Sequence, residues 1–113
     1  MADCLFCKIA SKEIPAEIVH ETEETVAFKD INPAAPTHVL VIPKRHIVSA
    51  QDLTKEDGGL LGEMFEAMGA VVDGAGLGGG HRIVTNVGGD AGQSVHHLHF
   101  HVIGGRDMSW PPG

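Results

Sequence analysis

Three histidines alternate with apolar residues near the carboxyl end of the chain. Residues 97–103 read HLHFHVI, which places His97, His99 and His101 two positions apart. Successive side chains of a β-strand point to opposite faces, so the pattern predicts three imidazoles on one face and an apolar face behind them. Imidazoles two strand rises apart, roughly 6.6 Å, are too distant for mutual hydrogen bonding. They suit a phosphate group or a metal ion held between them.

A glycine-rich loop leads directly into this segment. Residues 88–94 contain three glycines and end at Ser94. Glycine allows backbone N–H groups to turn inward and approach an anion closely, and the serine adds a hydroxyl donor. A neutral imidazole can attack phosphorus, and a phosphorylated imidazole is a good leaving group. The loop and the histidines together favour a two-step transfer at phosphorus.

Both features resemble the signature of the histidine triad (HIT) family. The chain resembles the Hint branch of this family, the purine nucleoside phosphoramidases, over nearly its whole length. The stretches that carry it are residues 12–15, 28–31, 35–38, 41–44, 92–95, 97–103 and 110–113. The resemblance implies cleavage of the P–N bond of purine nucleoside 5′-monophosphoramidates, and of acyl-adenylates, through a nucleotidyl-histidine. It implies that no cofactor is needed for the chemistry.

The resemblance also implies a role for each matching residue around the reacting phosphate. His99 is the implied nucleophile, and His38 and His97 orient or support its ring. His101 and Ser94 are implied to contact the phosphate or the leaving group. The other implied positions on the phosphate side are Asn86, Gly92, Gln93 and Val95.

A further implied set of residues holds the nucleoside. Asp30 matches the acid that accepts hydrogen bonds from the ribose hydroxyls, and the purine lies among apolar side chains. Those side chains are Leu5, Phe6, Phe28 and Ile31. The resemblance finally implies a homodimer with sheets joined across the two-fold axis, in which residues 104–113 form a tail that brings Trp110 toward the partner's site.

Two cysteines near the amino end raise the question of a metal. Cys4 and Cys7 are the only cysteines, and their spacing alone leaves a metal pair, a redox pair or two inert thiols open. The stretch resembles HIT relatives that carry a structural zinc, which implies His46 and His97 as the other two ligands. Two thiolates and two imidazoles suit a closed tetrahedral zinc site that is structural rather than catalytic.

Two other functions fit parts of the same pattern. In the first, the chain is a nucleotide-binding interaction module whose dimer surface and tail bind protein partners, and hydrolysis is incidental. In the second, His38, His97 and His99 supply the three imidazoles of an open catalytic zinc centre. A zinc centre explains the loop that ends at Ser94 less well than phosphate binding does, so the hydrolase is the leading hypothesis.

Size and charge narrow the class of protein. The chain has 113 residues, of which 42% are hydrophobic, so we expect one domain over residues 1–113 with one modest core. Fifteen acidic against eight basic residues, without a basic stripe, argue against nucleic acid as a ligand. The sequence also lacks a long apolar run and a signal peptide, so we expect a cytoplasmic protein that does not bind membranes.

The elements that must position these residues follow from local patterns. We predict an α+β fold with an antiparallel sheet of about five strands, one long helix and a short amino-terminal helix. Thr54 and Asp57 form a candidate capping pair for the long helix, whose apolar stripe runs from Leu60 to Val72. The terminator and a mobile connection are expected from the glycines that follow, which are Gly74, Gly76, Gly78, Gly79 and Gly80. The short helix is predicted over residues 5–10, and the strands over residues 18–21, 25–28, 37–42, 82–87 and 98–103.

Overall fold

The computed structural model describes residues 3–113. A short helix and three strands come first, followed by a long helix and two further strands. The elements are α1 (Leu5–Ala10), β1 (Ile18–Glu21), β2 (Thr25–Lys29), β3 (Thr37–Pro43), α2 (Gly58–Ala75), β4 (His81–Val84) and β5 (Phe100–Gly104). Within residues 3–113, none of the helices combines the length and the apolar character needed to cross a bilayer.

The five strands form one antiparallel sheet in the order β1-β2-β3-β5-β4. The central strand β3 pairs with β2 on one side and with β5 on the other, so that Leu40 lies opposite Phe28 and also opposite His101. This register places β3 directly beside β5, the strand that carries His101, so that His38 lies opposite Ile103. The predicted fold class, an antiparallel sheet of five strands with one long and one short helix, is confirmed.

Alternation along the strands gives the sheet two apolar faces. On one face, Val39 and Val41 pack with Met64 and Met68 of α2. On the other face, Leu40 packs in a cluster with Phe6 of α1. Strand β3 is therefore buried on both faces, as its unbroken apolar run predicts.

The long helix begins and ends close to the predicted positions. Thr54 and Asp57 form the predicted capping box, which caps a short 3-10 turn that runs directly into α2. The terminator is one of the predicted glycines, since Gly74 lies inside the helix and Gly76 caps it with φ 67°. The left-handed conformation favours glycine, and it satisfies the last carbonyls through the N–H of Gly76.

The predicted end of β4 and the predicted start of β5 are both wrong. Strand β4 stops at Val84 rather than at residue 87, and β5 starts at Phe100 rather than at residue 98. The segment before β5 is held by other groups, since the N–H of Leu98 donates to the Ile47 carbonyl at 2.6 Å and the Thr85 hydroxyl donates to the His99 carbonyl at 2.8 Å. The predicted alternation persists, with Leu98 facing α2 and His99 facing α1.

Methionine 68 offers a test of how tightly α2 is packed on the sheet. Its side chain is fully buried in the cluster under α2, so Met68→Ala removes apolar contacts and leaves a cavity. We expect a loss of about 2–4 kcal/mol in the free energy of unfolding, measured by urea denaturation. The exposed neighbour Glu66 is the control, and Glu66→Ala should change stability by less than about 0.5 kcal/mol. Equal effects of the two substitutions would contradict the packing.

Candidate active site

A cavity of about 460 Å³ lies between α1, the sheet and the glycine-rich loop. Two of the three alternating histidines, His99 and His101, open into it, together with Ser94 at the end of the loop. The other predicted residues that line this cavity are Leu5, Phe6, Phe28, Asp30, Ile31 and Val95. Nine predicted positions from five parts of the chain therefore meet at one cavity, whose volume is that of a small-molecule site.

The hydrogen bonds of His99 define where its lone pair lies. Its Nδ1 is 2.7 Å from the backbone carbonyl of His97, which can only accept, so Nδ1 carries the proton. In the neutral ring, the lone pair therefore lies on Nε2. The ring is 6% exposed and packs edge to face on Phe6 at a centroid distance of 5.1 Å. His99 is thus a fixed imidazole whose neutral form has its nucleophilic lone pair on Nε2.

The neighbouring His101 takes the opposite tautomer. The Ala34 N–H donates to Nδ1 of His38 at 2.9 Å, so the proton of His38 lies on Nε2. That Nε2 is 2.8 Å from Nδ1 of His101, which must accept, so His101 carries its proton on Nε2. The site therefore offers one bare imidazole nitrogen and one N–H donor on adjacent rings, whose centroids are 5.1 Å apart.

Burial keeps His101 neutral. Desolvation, followed by charge repulsion from the neighbouring His99 and His38, lowers its pKa from 6.5 to about 4, although Asp30 acts in the opposite direction. The pKa of the buried His97 is lowered too, mainly by desolvation. At neutral pH the Nε2–H of His101 therefore acts as a neutral hydrogen-bond donor.

The low pKa of His101 predicts acid destabilisation. Between pH 6.5 and about 4, the unfolded chain binds a proton at this histidine and the folded chain does not. Stability is therefore complete above pH 6.5 and falls as the pH is lowered, by about 2 kcal/mol at pH 4.5 for this one group. Urea denaturation across this range measures the slope, and His101→Gln should make it shallower. An unchanged slope in the variant would refute the assignment.

The loop before the triad is held partly by its own groups. Gln93 is 7% exposed, and its side chain accepts from the Gly88 N–H at 2.9 Å and donates to the Val48 carbonyl at 2.8 Å. The N–H groups of Gly92 and Gln93 donate to the carbonyls of Gly89 and Gly88. These amides are engaged within the loop, so in this conformation the hydroxyl of Ser94 is the loop's side-chain donor that reaches the cavity.

Three further predicted site residues do not line the cavity, and a fourth lies at its rim. His38 stands behind His101, and Asn86 lies against Gly92, where an added Cβ would be 3.9 Å from the Asn86 amide nitrogen. Trp110 is 82% exposed on the tail, which contacts the sheet through a hydrogen bond from Arg82 to the Ser109 carbonyl. Ile31 lines the cavity only at its rim, since it is 91% exposed.

His97 does not share a bound group with the other two triad histidines. The expectation of three imidazoles around one ligand is therefore wrong, because Nδ1 of His97 faces a cluster with Cys4, Cys7 and His46. The distances from His97 Nδ1 are 3.3 Å to Cys4 Sγ, 3.5 Å to Cys7 Sγ and 3.2 Å to His46 Nδ1. Its Nε2 lies 2.8 Å from the Pro43 carbonyl, which fixes the ring with Nδ1 unprotonated.

The four side chains of this cluster fit tetrahedral zinc. All four ligand atoms lie within 4.8 Å of one another, and the closest pairs are 3.2–3.5 Å apart. Zn–N bonds of about 2.05 Å and Zn–S bonds of about 2.3 Å give tetrahedral edges of about 3.3–3.8 Å. Burial and the adjacent Cys4 raise the pKa of Cys7 in the absence of a cation, and a bound cation would favour the thiolate.

The alternative catalytic zinc centre does not form. His38, His97 and His99 are not grouped in the described part of the chain, where His97 belongs to the cysteine cluster and His38 to a group with Asp30 and His101. Within that second group, His38 Nε2 and His101 Nδ1 are 2.8 Å apart, which is a hydrogen bond. The prediction of an open zinc centre at these three histidines is wrong.

Several groups that shape the site were not predicted. Thr85 fixes the backbone of His99 through its hydroxyl, and the Ala34 N–H sets the tautomer of His38. Both act through single bonds across the fold, for which the sequence carries no local signal. The unpredicted residues that line the cavity are Ile9, Ile14, Pro15, Ala16, Glu17, Lys29 and Leu40.

Comparisons with known proteins agree with this geometry. The family model described as "Scavenger mRNA decapping enzyme C-term binding" matches residues 3–110. An uncharacterized HIT-like protein of Synechocystis is 48% identical over 111 residues, 98% of this chain and 97% of that protein. A HIT family hydrolase from Legionella pneumophila has a TM-score of 0.96 at 47% identity, covering 98% of this chain and 100% of that one. A HIT family hydrolase from Clostridium thermocellum has a TM-score of 0.93 at 44% identity, with 96% of each chain covered.

The sheet, the long helix and the histidine-lined cavity define a protein of the HIT-like fold, which is shared with these solved structures over almost the whole chain. The chain belongs to the HIT, or histidine triad, family.

Proposed function

We propose that this protein is a nucleotide hydrolase that cleaves the P–N bond of purine nucleoside 5′-monophosphoramidates, and of related acyl-adenylates, through a nucleotidyl intermediate on His99. The observation that carries the proposal is the pair of opposite tautomers at the cavity. His99 presents a bare Nε2 and His101 presents an Nε2–H. A nucleophile beside a hydrogen-bond donor is the arrangement that attack on a phosphoryl group requires.

In the first step, Nε2 of His99 attacks phosphorus. A P–Nε2 bond forms as the P–N bond of the substrate breaks. The electron pair of that bond leaves with the amine, which takes a proton from solvent, and the water of the second step later returns a proton to solvent. The imidazole then carries positive charge, which the His97 carbonyl stabilises through the Nδ1–H bond. Water next attacks phosphorus, breaks the P–Nε2 bond and restores neutral His99. Over both steps one water supplies the oxygen gained by phosphorus and the proton gained by the amine.

Donors around the cavity would stabilise the phosphoryl oxygens. The His101 Nε2–H and the Ser94 hydroxyl are side-chain donors that line it, whereas the Lys29 ammonium, which also lines it, pairs with Glu17 at 2.9 Å. Since His101 is neutral at pH 7, its contribution is a hydrogen bond rather than a positive charge. Each such donor is worth about 2.7–4 kcal/mol of transition-state stabilisation in comparable sites.

The nucleoside would occupy the apolar part of the cavity. Phe6 and Phe28 form an edge-to-face pair with centroids 5.5 Å apart, and they wall the cavity together with Leu5. Asp30 lies at the cavity with one carboxylate oxygen bonded to the Asn32 N–H at 2.8 Å. Its other oxygen, 3.4 Å from His38 Nε2, remains available to ribose hydroxyls. An aromatic wall for the purine and an acid for the ribose support nucleotide recognition.

We further propose that the cluster of Cys4, Cys7, His46 and His97 holds a structural zinc. The donor set and spacing support it, because four protein ligands fill a tetrahedral site. The metal would pin α1 to the segment before β5, and it would leave no open position for an activated water. Both cysteines are free, as is typical of a reducing compartment, which supports a cytoplasmic location.

We also propose a homodimer joined at the β4 edge of the sheet. Strand β4 is at one end of the sheet order, so within residues 3–113 its side away from β5 has no strand partner. Ile83 on β4 is 38% exposed, Phe65 on α2 is 46% exposed and Trp110 on the tail is 82% exposed. Pairing of two β4 edges would cover exposed apolar surface and continue the sheet across the two-fold axis, with Trp110 available to the partner's site.

A turnover assay tests the proposed activity. Incubation with adenosine 5′-phosphoramidate should release AMP and ammonia, and rapid acid-free quenching should trap protein that carries one nucleotidyl group by mass spectrometry. Turnover should persist in folded protein after chelation. Binding of AMP without turnover would contradict the hydrolase and would favour the nucleotide-binding interaction module.

A further inference from the structure

The turn that follows the triad strand is locked against the loop of residues 33–36. Arg106 donates through Nε to the Ala34 carbonyl at 3.0 Å and through Nη1 to the Asp107 carbonyl at 3.2 Å. The preceding residue, Gly105, has φ 91° and lies so close to Pro36 that an added Cβ would be 3.0 Å from the proline Cβ. Two independent contacts therefore fix the start of the tail on this loop.

The same loop sets the tautomer of His38 through the backbone N–H of Ala34, the residue whose carbonyl accepts from Arg106. Ala34 accepts from Arg106 at its carbonyl and donates to His38 Nδ1 at its N–H, at 2.9 Å. An imidazole nitrogen accepts only when it is unprotonated, so this bond selects the His38 form that has its proton on Nε2. His38 then donates to His101 at 2.8 Å.

We propose that Arg106 is a positioning residue that holds Ala34 so that His38 and His101 keep their tautomers, and that it thereby couples the tail to the active site. The part of the proposal that concerns turnover rests on the proposed hydrolase. The part that concerns the tautomers does not, because it is read without substrate.

Loss of Arg106 has a defined consequence along this path. Without its guanidinium, the loop around Ala34 is released on its carbonyl side and the N–H is no longer directed at His38. His38 then populates the form with the proton on Nδ1, which turns a bare Nε2 toward His101. His101 must answer with a proton on Nδ1, and its Nε2 would face the phosphate as an acceptor. Asp30, 3.4 Å from His38 Nε2, favours the original tautomer, so the population shifts without complete inversion.

Imidazole nitrogen spectra test the tautomers directly. At pH 8, above the ordinary histidine pKa of about 6.5, long-range ¹H–¹⁵N spectra of the wild-type protein should show His38 and His101 protonated on Nε2. Arg106→Ala should move both sets of shifts toward a mixture, and Arg106→Lys, which keeps a donor, should restore them at least in part. Either histidine found with its proton on Nδ1 in the wild type would overturn the proposal.

A matched control separates the loop contact from a general effect of the tail. Arg82 also holds the tail, and its guanidinium donates to the Ser109 carbonyl rather than to the Ala34 carbonyl. Arg82→Ala should therefore leave the His38 and His101 spectra unchanged, and equal shifts in both arginine variants would refute the specific path. Ala34→Pro, which removes the N–H itself, should reproduce the Arg106→Ala spectrum, with circular dichroism confirming that it folds. If it folds with wild-type shifts, Ala34 does not set the tautomer.

Kinetics supply the last readout if the protein hydrolyses phosphoramidates. Arg106→Ala should lower kcat by roughly tenfold and change KM by less than about twofold, since a donor to the transition state is weakened and the nucleoside contacts are intact. Unchanged kcat with shifted spectra would remove the catalytic role of the coupling. Shifted spectra in a protein without any turnover would leave the tautomer path standing and would instead contradict the proposed function.

Discussion

Replacing His99 with glutamine is expected to lower turnover of an adenosine phosphoramidate by about 10⁴-fold or more. In the proposed mechanism the bare Nε2 of His99 forms the covalent bond to phosphorus. Neither Ser94 nor His101 could replace it, because a hydroxyl without an adjacent base and a protonated nitrogen are poor nucleophiles. Glutamine keeps a side-chain N–H that can reach the His97 carbonyl, so the fold and the cavity should survive. AMP binding, measured by calorimetry, should remain within about threefold of the wild type.

His20 provides the matched control for this substitution. It lies on β1, where it pairs with Ala27 at the far side of the sheet, and it does not line the cavity in the described part of the chain. His20→Ala should retain turnover within about twofold. Trapping experiments should find the nucleotidyl group on the wild type and on the His20 variant, and no adduct on the His99 variant. Turnover that persists in the His99 variant would assign the nucleophile elsewhere.

Most of the fold can be predicted from sequence patterns that lie within a single helix or strand. The capping pair of Thr54 and Asp57 and the apolar run of β3 report on contacts within one element, and both were predicted correctly. The ends of β4 and β5 were not, because they depend on which partner the backbone of residues 97–99 finds. The N–H of Leu98 bonds to the Ile47 carbonyl, and the carbonyl of His99 accepts from the Thr85 hydroxyl. A strand prediction has no access to such long-range competition.

The candidate site divides in the same way. Alternation correctly assigned His99 and His101 to one face. The two-residue period of side chains continues through His99 even though the hydrogen-bonded strand begins only at Phe100. It failed for His97, whose Nδ1 is turned to the cysteine cluster by the bond from Nε2 to the Pro43 carbonyl. The resemblance to zinc-binding relatives, rather than alternation, had already implied that placement. Tautomers lie beyond both kinds of inference, because they depend on single backbone groups such as the Ala34 N–H.

His97 joins the two halves of this site in one residue. Its side chain faces the cysteine cluster, while its backbone carbonyl accepts from His99 Nδ1 at 2.7 Å. A metal that fixed the ring would therefore also fix the carbonyl that sets the nucleophile's tautomer. The metal's contribution to the site would be structural, because among the four cluster residues His97 is the one hydrogen-bonded to His99 or His101.

Removal of the metal is expected to have the second large effect, and the effect is on stability. Protein purified without a histidine tag should contain about one zinc per chain, and Cys7→Ser should reduce this below about a tenth. A ligand present at 100 to 1,000 times its dissociation constant stabilises the folded state by about 2.7–4.1 kcal/mol. For a chain of this size, loss of that stabilisation corresponds to a fall in Tm of roughly 10 °C or more.

Chelation distinguishes the metal from the substitution itself. EDTA should lower the Tm of the wild type to near that of Cys7→Ser and should leave the variant's Tm unchanged, since the variant has no closed site to lose. Lys8→Ala, one residue along α1 and outside the cluster, should keep both the zinc and its response to EDTA. Turnover per folded molecule should change little in any of these proteins, because a closed four-ligand site supplies no activated water. A wild-type Tm that EDTA does not alter, in protein without stoichiometric zinc, would show that the four side chains stabilise the fold without a metal.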